Sequence, residues 1–136
     1  MRRMMYRIAA KYAKRRKCQV LINGESIGQV ASQTLRSMSV INEVTNMPVI
    51  RPVACMDKLD IIKIAEEIDT YNISIIPFED CCTVFVPEHP VIHPFLNVCL
   101  EEEKKVDYEE MIEEIISNIE IITVTKKEED NFEYLL

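Results

Sequence analysis

Two adjacent thiols flanked by carboxylates, Glu79-Asp80-Cys81-Cys82, are the residues of this sequence best suited to covalent chemistry. A thiolate is a nucleophile and a sulfur carrier, but only once its proton has left. Glu79 and Asp80 oppose that loss, because nearby negative charge raises a thiol pKa. A reactive Cys81 therefore requires a cation brought in by the fold, such as Lys58 or Arg51. Without one, both sulfurs are inert buried side chains. The same stretch offers candidate metal ligands in Cys81, Cys82, His89, His93 and Cys99, with His89 and His93 four residues apart. It lacks the C-x-x-C pairs from which structural zinc sites are commonly built, so no metal site is expected.

Five further positions invite a ligand. Lys58 opens a helix, where a cation opposes the helix dipole; it either snorkels into solvent or is held toward an anion such as phosphate. Gly24 ends an apolar run, and in open α/β sheets ligands bind beyond the carboxyl ends of strands. Glycine there admits close backbone approach, although a turn with positive φ asks for the same residue. Gln29, Ser32 and Gln33 have the hydrogen-bonding groups to read a base or ribose, or simply to cap and coat a helix.

The elements that must position these residues follow from spacing. Met4, Met5, Ile8, Ala9, Tyr12 and Ala13 recur at helical intervals, predicting an amphipathic helix over 2–16 with a basic outer face. Residues 18–22 are a short continuous apolar run that suits a strand buried on both faces of a parallel sheet. A loop then enters a short helix from about Gly28. Residues 49–53 read as a short strand limited by Pro52. Asp57, with Asp60 three residues on, starts a helix carrying Leu59, Ile61, Ile62, Ile64, Ala65 and Ile68. Residues 77–94 hold four prolines and read as irregular, with a brief extended piece at 83–86. Asp107 and Glu110 form a capping-box-like start for a further helix. Residues 119–124 read as a final strand, and 126–136 as an acidic tail. Helix, strand, helix, strand, helix is an α/β pattern, with too few strands for a covered parallel sheet.

Charge is segregated along the 136 residues, whose net charge is -7. Residues 1–17 carry eight basic side chains and no acid, 18–99 carry four basic and ten acidic, and 100–136 four basic and thirteen acidic. The basic segment either meets phosphate or is answered by the acidic C-terminal part. Two glycines exclude a Gly-rich phosphate cradle of the Walker or dinucleotide kind. No apolar run approaches the ~18 residues of a membrane helix. Five cysteines, without secretory signals, point to thiols in a reducing cytoplasm. A sheet this small leaves a strand edge and an apolar face open, so self-association into a homo-oligomer is expected.

The string Asn23-Gly24-Glu25-Ser26-Ile27-Gly28-Gln29-Val30-Ala31-Ser32-Gln33-Thr34 closely resembles a segment of the tRNA 4-thiouridine synthetases. These tRNA uracil 4-sulfurtransferases are also linked to thiamine thiazole synthesis. Arg2-Arg3-Met4-Met5, Arg51-Pro52 with Asp57-Lys58, and Glu79-Asp80-Cys81-Cys82-Thr83-Val84-Phe85-Val86-Pro87 match the same family in the same order. The resemblance covers residues 1 to about 100 and implies the C-terminal part of a PP-loop pyrophosphatase domain, a partial Rossmann-like parallel sheet with flanking helices. Residues 101–136 then form an acidic helical extension.

In that family ATP, with Mg²⁺, adenylates the C4 oxygen of a uridine in tRNA, and a persulfide sulfur delivered by a cysteine desulfurase displaces AMP. Carried over position by position, the resemblance implies that Arg2, Gly24 and Gln33 bind ATP. It implies that Lys58 assists catalysis and that Cys81 carries or resolves the persulfide; Cys82 is given no such role. The family's S-G-G-x-D-S pyrophosphate loop is absent from these residues, as are its ferredoxin-like and THUMP RNA-binding domains. The expectation is a piece of a longer cytoplasmic enzyme, inactive alone. The competing expectations are a non-catalytic RNA-binding or oligomerisation module, and a thiol carrier working without ATP.

Overall fold

The computed structural model of the protein describes residues 1–30, 33–78 and 91–125. Residues 79–90, including Cys81, Cys82, His89 and the 83–86 piece, lie outside the described residues, as do 126–136. Helix α1 spans Arg2–Arg15, as its spacing predicts, but it buries Arg3, Tyr6, Ala10 and Ala13; of the expected apolar stripe only Ala13 is buried, while Met5 and Ala9 are exposed. It packs against α2, Leu35–Asn42, through Met38 and Ile41, and against the final helix through Ile112 and Ile116. Between them run α3, Lys58–Glu67, and the four-residue α4, Tyr71–Ser74. The last two helices are α5, Leu96–Glu103, and α6, Tyr108–Ser117.

The sheet has two parallel strands, β1 at Leu21–Ile22 and β2 at Val49–Ile50, in register Leu21 to Val49 and Ile22 to Ile50. Leu21 N–H donates to Pro48 at 2.9 Å and Asn23 N–H to Ile50 at 3.1 Å, extending the ladder by one residue at each end. This is the expected α/β class with helices flanking a small parallel sheet. Ile22 is 66% exposed, however, so β1 is not buried on both faces; no described element covers that side.

Local chemistry corrects several element boundaries. The helix expected from Gly28 starts at Leu35, because Gly28 adopts φ 80 and Thr34 caps the helix, accepting from Ser37 N–H at 3.2 Å. Asp57 does stand at the N-cap of α3, with extended φ and ψ but no side-chain cap bond. Asp107 caps α6 and accepts from Glu110 N–H, as the capping spacing predicts. Residues 119–124 are not a strand: no described segment pairs with them, and Ile121 and Val124 are exposed. Helix α5 runs through residue 100 and is an element that the spacing of apolar residues does not predict.

Helix α1 also departs from the expected all-basic outer face. Arg3 is 7% exposed and turned inward. Its guanidinium grips Glu103 of α5 with two bonds of 2.8 and 3.1 Å, and donates to Glu43 at 3.0 Å. Arg7 grips the same carboxylate at 2.8 Å twice and lies over the Tyr108 ring, 4.4 Å from its centroid. Lys11 pairs with Glu113 of α6. The acidic C-terminal part thus answers half of the basic helix.

Hydrogen bonds from Arg7 and then Arg3 outweigh burial and hold the Glu103 carboxyl at about 2. A lowered carboxylate pKa adds stability that is complete above the ordinary value of about 4.5 and lost as pH falls toward 2. We expect Glu103→Gln to lower the urea midpoint at pH 7. It should also flatten the loss of stability between pH 4.5 and 2 relative to wild type. Parallel pH profiles for the two proteins would contradict this assignment.

Candidate functional site

The strand β1 ends at Ile22, and the chain then leaves the sheet as a loop over 23–30 that Gln33 closes. Three backbone donors and one hydroxyl shape it. Glu25 N–H donates to Asn23 Oδ1 at 3.1 Å, an Asx-type turn. Ile27 N–H donates to Ala54 at 2.9 Å, and Gly28 N–H to the Gln33 carbonyl at 3.0 Å. Ser26, 4% exposed, donates its hydroxyl to the Met56 carbonyl at 3.0 Å.

The loop turns its acid inward. Glu25 is 3% exposed, and four side chains from three parts of the chain converge on its carboxylate. Arg51, just past β2, donates through Nε at 2.7 Å; the Tyr6 hydroxyl and Asn23 Nδ2 each donate at 2.9 Å; Arg2 forms an ion pair. The Tyr6 hydroxyl in turn accepts from Arg51 at 3.1 Å and from Asn23. Arg51 also donates to Asn42 Oδ1 of α2 at 3.1 Å. Burial works to raise the Glu25 pKa, but the bonds from Arg51 and Tyr6 and the charge of Arg2 hold it below the ordinary value. Burial and the bond to anionic Glu25 raise Tyr6. The result is a rigid charged knot under the loop.

The structure gathers the described candidates around this loop. Arg2 reaches it through Glu25, next to Gly24. Lys58 is exposed at the first turn of α3, two residues after the Met56 carbonyl that Ser26 holds. Gln33 closes the loop through its backbone, and its Oε1 is buried without a hydrogen-bond partner among the described residues. Gly24 is exposed, the positive-φ glycine is Gly28, and a Cβ at Gly24 would meet nothing within 4 Å. The turn explanation for Gly24 therefore falls away, and open space lies over its backbone. Cys81 lies outside the described residues. Among them, no group of His, Cys, Asp or Glu is arranged to hold a metal ion. No described helix is long and apolar enough to cross a membrane.

Two parallel strands with flanking helices, and a loop leaving the carboxyl end of β1, define an open α/β unit. The chain belongs to the Thiamine biosynthesis protein (ThiI) family, whose model matches residues 1–108. It is 56% identical over 126 residues to a Halothermothrix orenii protein named "Probable tRNA sulfurtransferase", covering 91% of this chain and 32% of that one. It is 53% identical over 128 residues to a Streptococcus suis protein of the same name, covering 94% and 32%. A solved structure, a 4-thiouridine synthetase–RNA complex with bound ATP, matches with TM-score 0.76 and 42% identity. That match covers 85% of this chain and 30% of the other. The chain thus spans about a third of the length of these relatives.

Nothing in the sequence marks Glu25 and Arg51 as partners. Eight bases at the start of the chain demand acids somewhere, but no local signal singles out a glutamate in a polar loop as one of them.

Proposed function

We propose that this chain is the C-terminal portion of the catalytic domain of a tRNA 4-thiouridine synthetase, working with the remaining two thirds that its relatives possess. The observation that carries the reading is the loop after β1, where Gly24 faces open space and Gln33 Oε1 is buried without a hydrogen-bond partner among the described residues. A buried acceptor without a donor is costly, and an amino group on a ligand would relieve it. ATP, with Mg²⁺, fits that loop. Gly24 would let the nucleotide approach the backbone, Gln33 would accept from it, and Arg2 would lend its charge while Glu25 fixes its position.

When bound, ATP supplies the activation that turns the uridine C4 oxygen into a leaving group. Cys81 would carry or resolve the persulfide: its outer sulfur would bond to C4 as the C4–O bond breaks and AMP departs, and a second thiol would then cleave the S–S bond, releasing 4-thiouridine and leaving a disulfide for an external dithiol to reduce. Lys58, exposed at the helix start, would stabilise the anion. A cysteine desulfurase would load the sulfur in the cytoplasm. Self-association belongs to the same reading, since Ile22, Leu35 and Ile50 are all exposed.

The test replaces the matching third of the Halothermothrix orenii relative with residues 1–136 and measures 4-thiouridine in tRNA. The hybrid should thiolate. In it, Gly24→Ala should raise the ATP KM about tenfold, equivalent to about 1.4 kcal/mol for a nucleotide held away from the backbone, while leaving the thermal midpoint unchanged. A folded hybrid that makes no 4-thiouridine would overturn the reading.

A further inference from the structure

The basic side chains at the start of the chain fall into two sets. Arg2, Arg3, Arg7 and Lys11 are each paired with a named carboxylate. Lys14, Arg15, Arg16 and Lys17 follow at the end of α1, are all exposed, and face no acid among the described residues. Arg15 donates to the Ile116 carbonyl at 3.3 Å and so helps hold α6; the other three make no side-chain bond among the described residues. Among the described residues, four adjacent positive charges thus have no acidic partner.

The backbone supplies a second, independent observation. Cys18 N–H donates to Ala13 at 2.8 Å and Lys17 N–H to Lys14 at 3.1 Å, the paired bonds of a Schellman turn. In that turn the residue at position 17 is left-handed, and Lys17 has φ 59. Glycine fills such a position without strain, whereas a side chain there meets its own backbone. Lys17 is therefore a poor choice for the fold and a good one for charge.

We infer that Lys14, Arg16 and Lys17 form a docking knuckle for the phosphate backbone of RNA, the strained lysine extending the cluster past the helix end. Closely spaced, exposed cations suit a polyanion of regular spacing, and neutralising phosphates releases counterions. The choice of RNA rests on the function proposed above.

The test measures tRNA binding by this chain over a range of salt concentrations. Lys14→Ala, Arg16→Ala and Lys17→Ala together should lower the slope of log K against log salt by about 2 to 3, near 0.7–0.9 for each phosphate no longer neutralised. The exposed pair Lys104→Ala and Lys105→Ala should leave the slope unchanged. Lys17→Gly separates recognition from structure: it should raise the thermal midpoint by a few degrees while weakening RNA binding severalfold. An unchanged slope in the triple variant overturns the inference, whether another surface holds the RNA or the chain's own acidic end covers the knuckle. Lys17→Gly moving stability and affinity in the same direction overturns it too. Thiolation by the hybrid enzyme is a separate readout, so this surface and the proposed function can fail independently.

Discussion

Glu25→Ala should destabilise the chain by about 3 kcal/mol, among the most severe single substitutions available to it. The carboxylate it removes is 3% exposed and is shared by Arg2, Arg51, Tyr6 and Asn23. Deleting one member of a buried ion-pair cluster leaves its partners charged and partly desolvated, which typically costs about 3–5 kcal/mol. The lower end applies because Arg2 and Arg51 retain some contact with solvent. The damage would spread along the connections of the knot. Arg51 would lose the anchor that aligns it with Asn42 of α2, and the loop after β1 its inward fastening. Glu25→Gln keeps the shape and one acceptor, so it should cost less. Urea unfolding of the three proteins measures the series; equal midpoints for wild type and Glu25→Ala would show that the knot contributes nothing.

Cys81→Ser in the hybrid enzyme should reduce 4-thiouridine formation by about a thousandfold or more, the scale on which enzymes lose rate when a covalent group is deleted. A serine hydroxyl cannot hold a persulfide, and its oxygen is a far weaker nucleophile near neutral pH. Binding of tRNA and of ATP should persist, since neither depends on that sulfur. Cys82→Ser should leave the product level close to wild type. Tandem measurement of 4-thiouridine and of bound tRNA separates the two effects. Wild-type thiolation by the Cys81→Ser enzyme would remove this thiol from the mechanism.

Elements with strong local signals are legible in the sequence. Helix α1 is legible as a helix from its apolar spacing, although the face it buries is that of Arg3, Tyr6 and Ala10 rather than Met4, Met5 and Ile8, and α6 announces itself through Asp107 and Glu110. The parallel strand pair follows from the short apolar runs around Leu21 and Val49. Helix α5 is not legible because Leu96, Val98, Cys99 and Leu100 make no one-sided stripe and follow a proline-rich stretch. Its role is electrostatic: it delivers Glu103 to two arginines. Residues 119–124 have the composition of a strand, but composition cannot supply the neighbour a strand requires. The site divides the same way. Gly24, Gln33 and Lys58 stand out by motif, whereas the inward turn of Glu25 depends on residues 19 to 26 positions away.

The bonds that tie α1 to the carboxyl-terminal helices reach across 96 to 102 residues of sequence. At synthesis speeds of about 5–20 residues per second, the helix is made roughly 5–20 seconds before Glu103 and Glu113. During that interval Arg7 and Lys11 lack the carboxylates they pair with in the folded chain, whereas Arg3 already has Glu43. Full neutralisation of this helix therefore waits on the carboxyl-terminal helices, so the first described element made is among the last to have its charges settled.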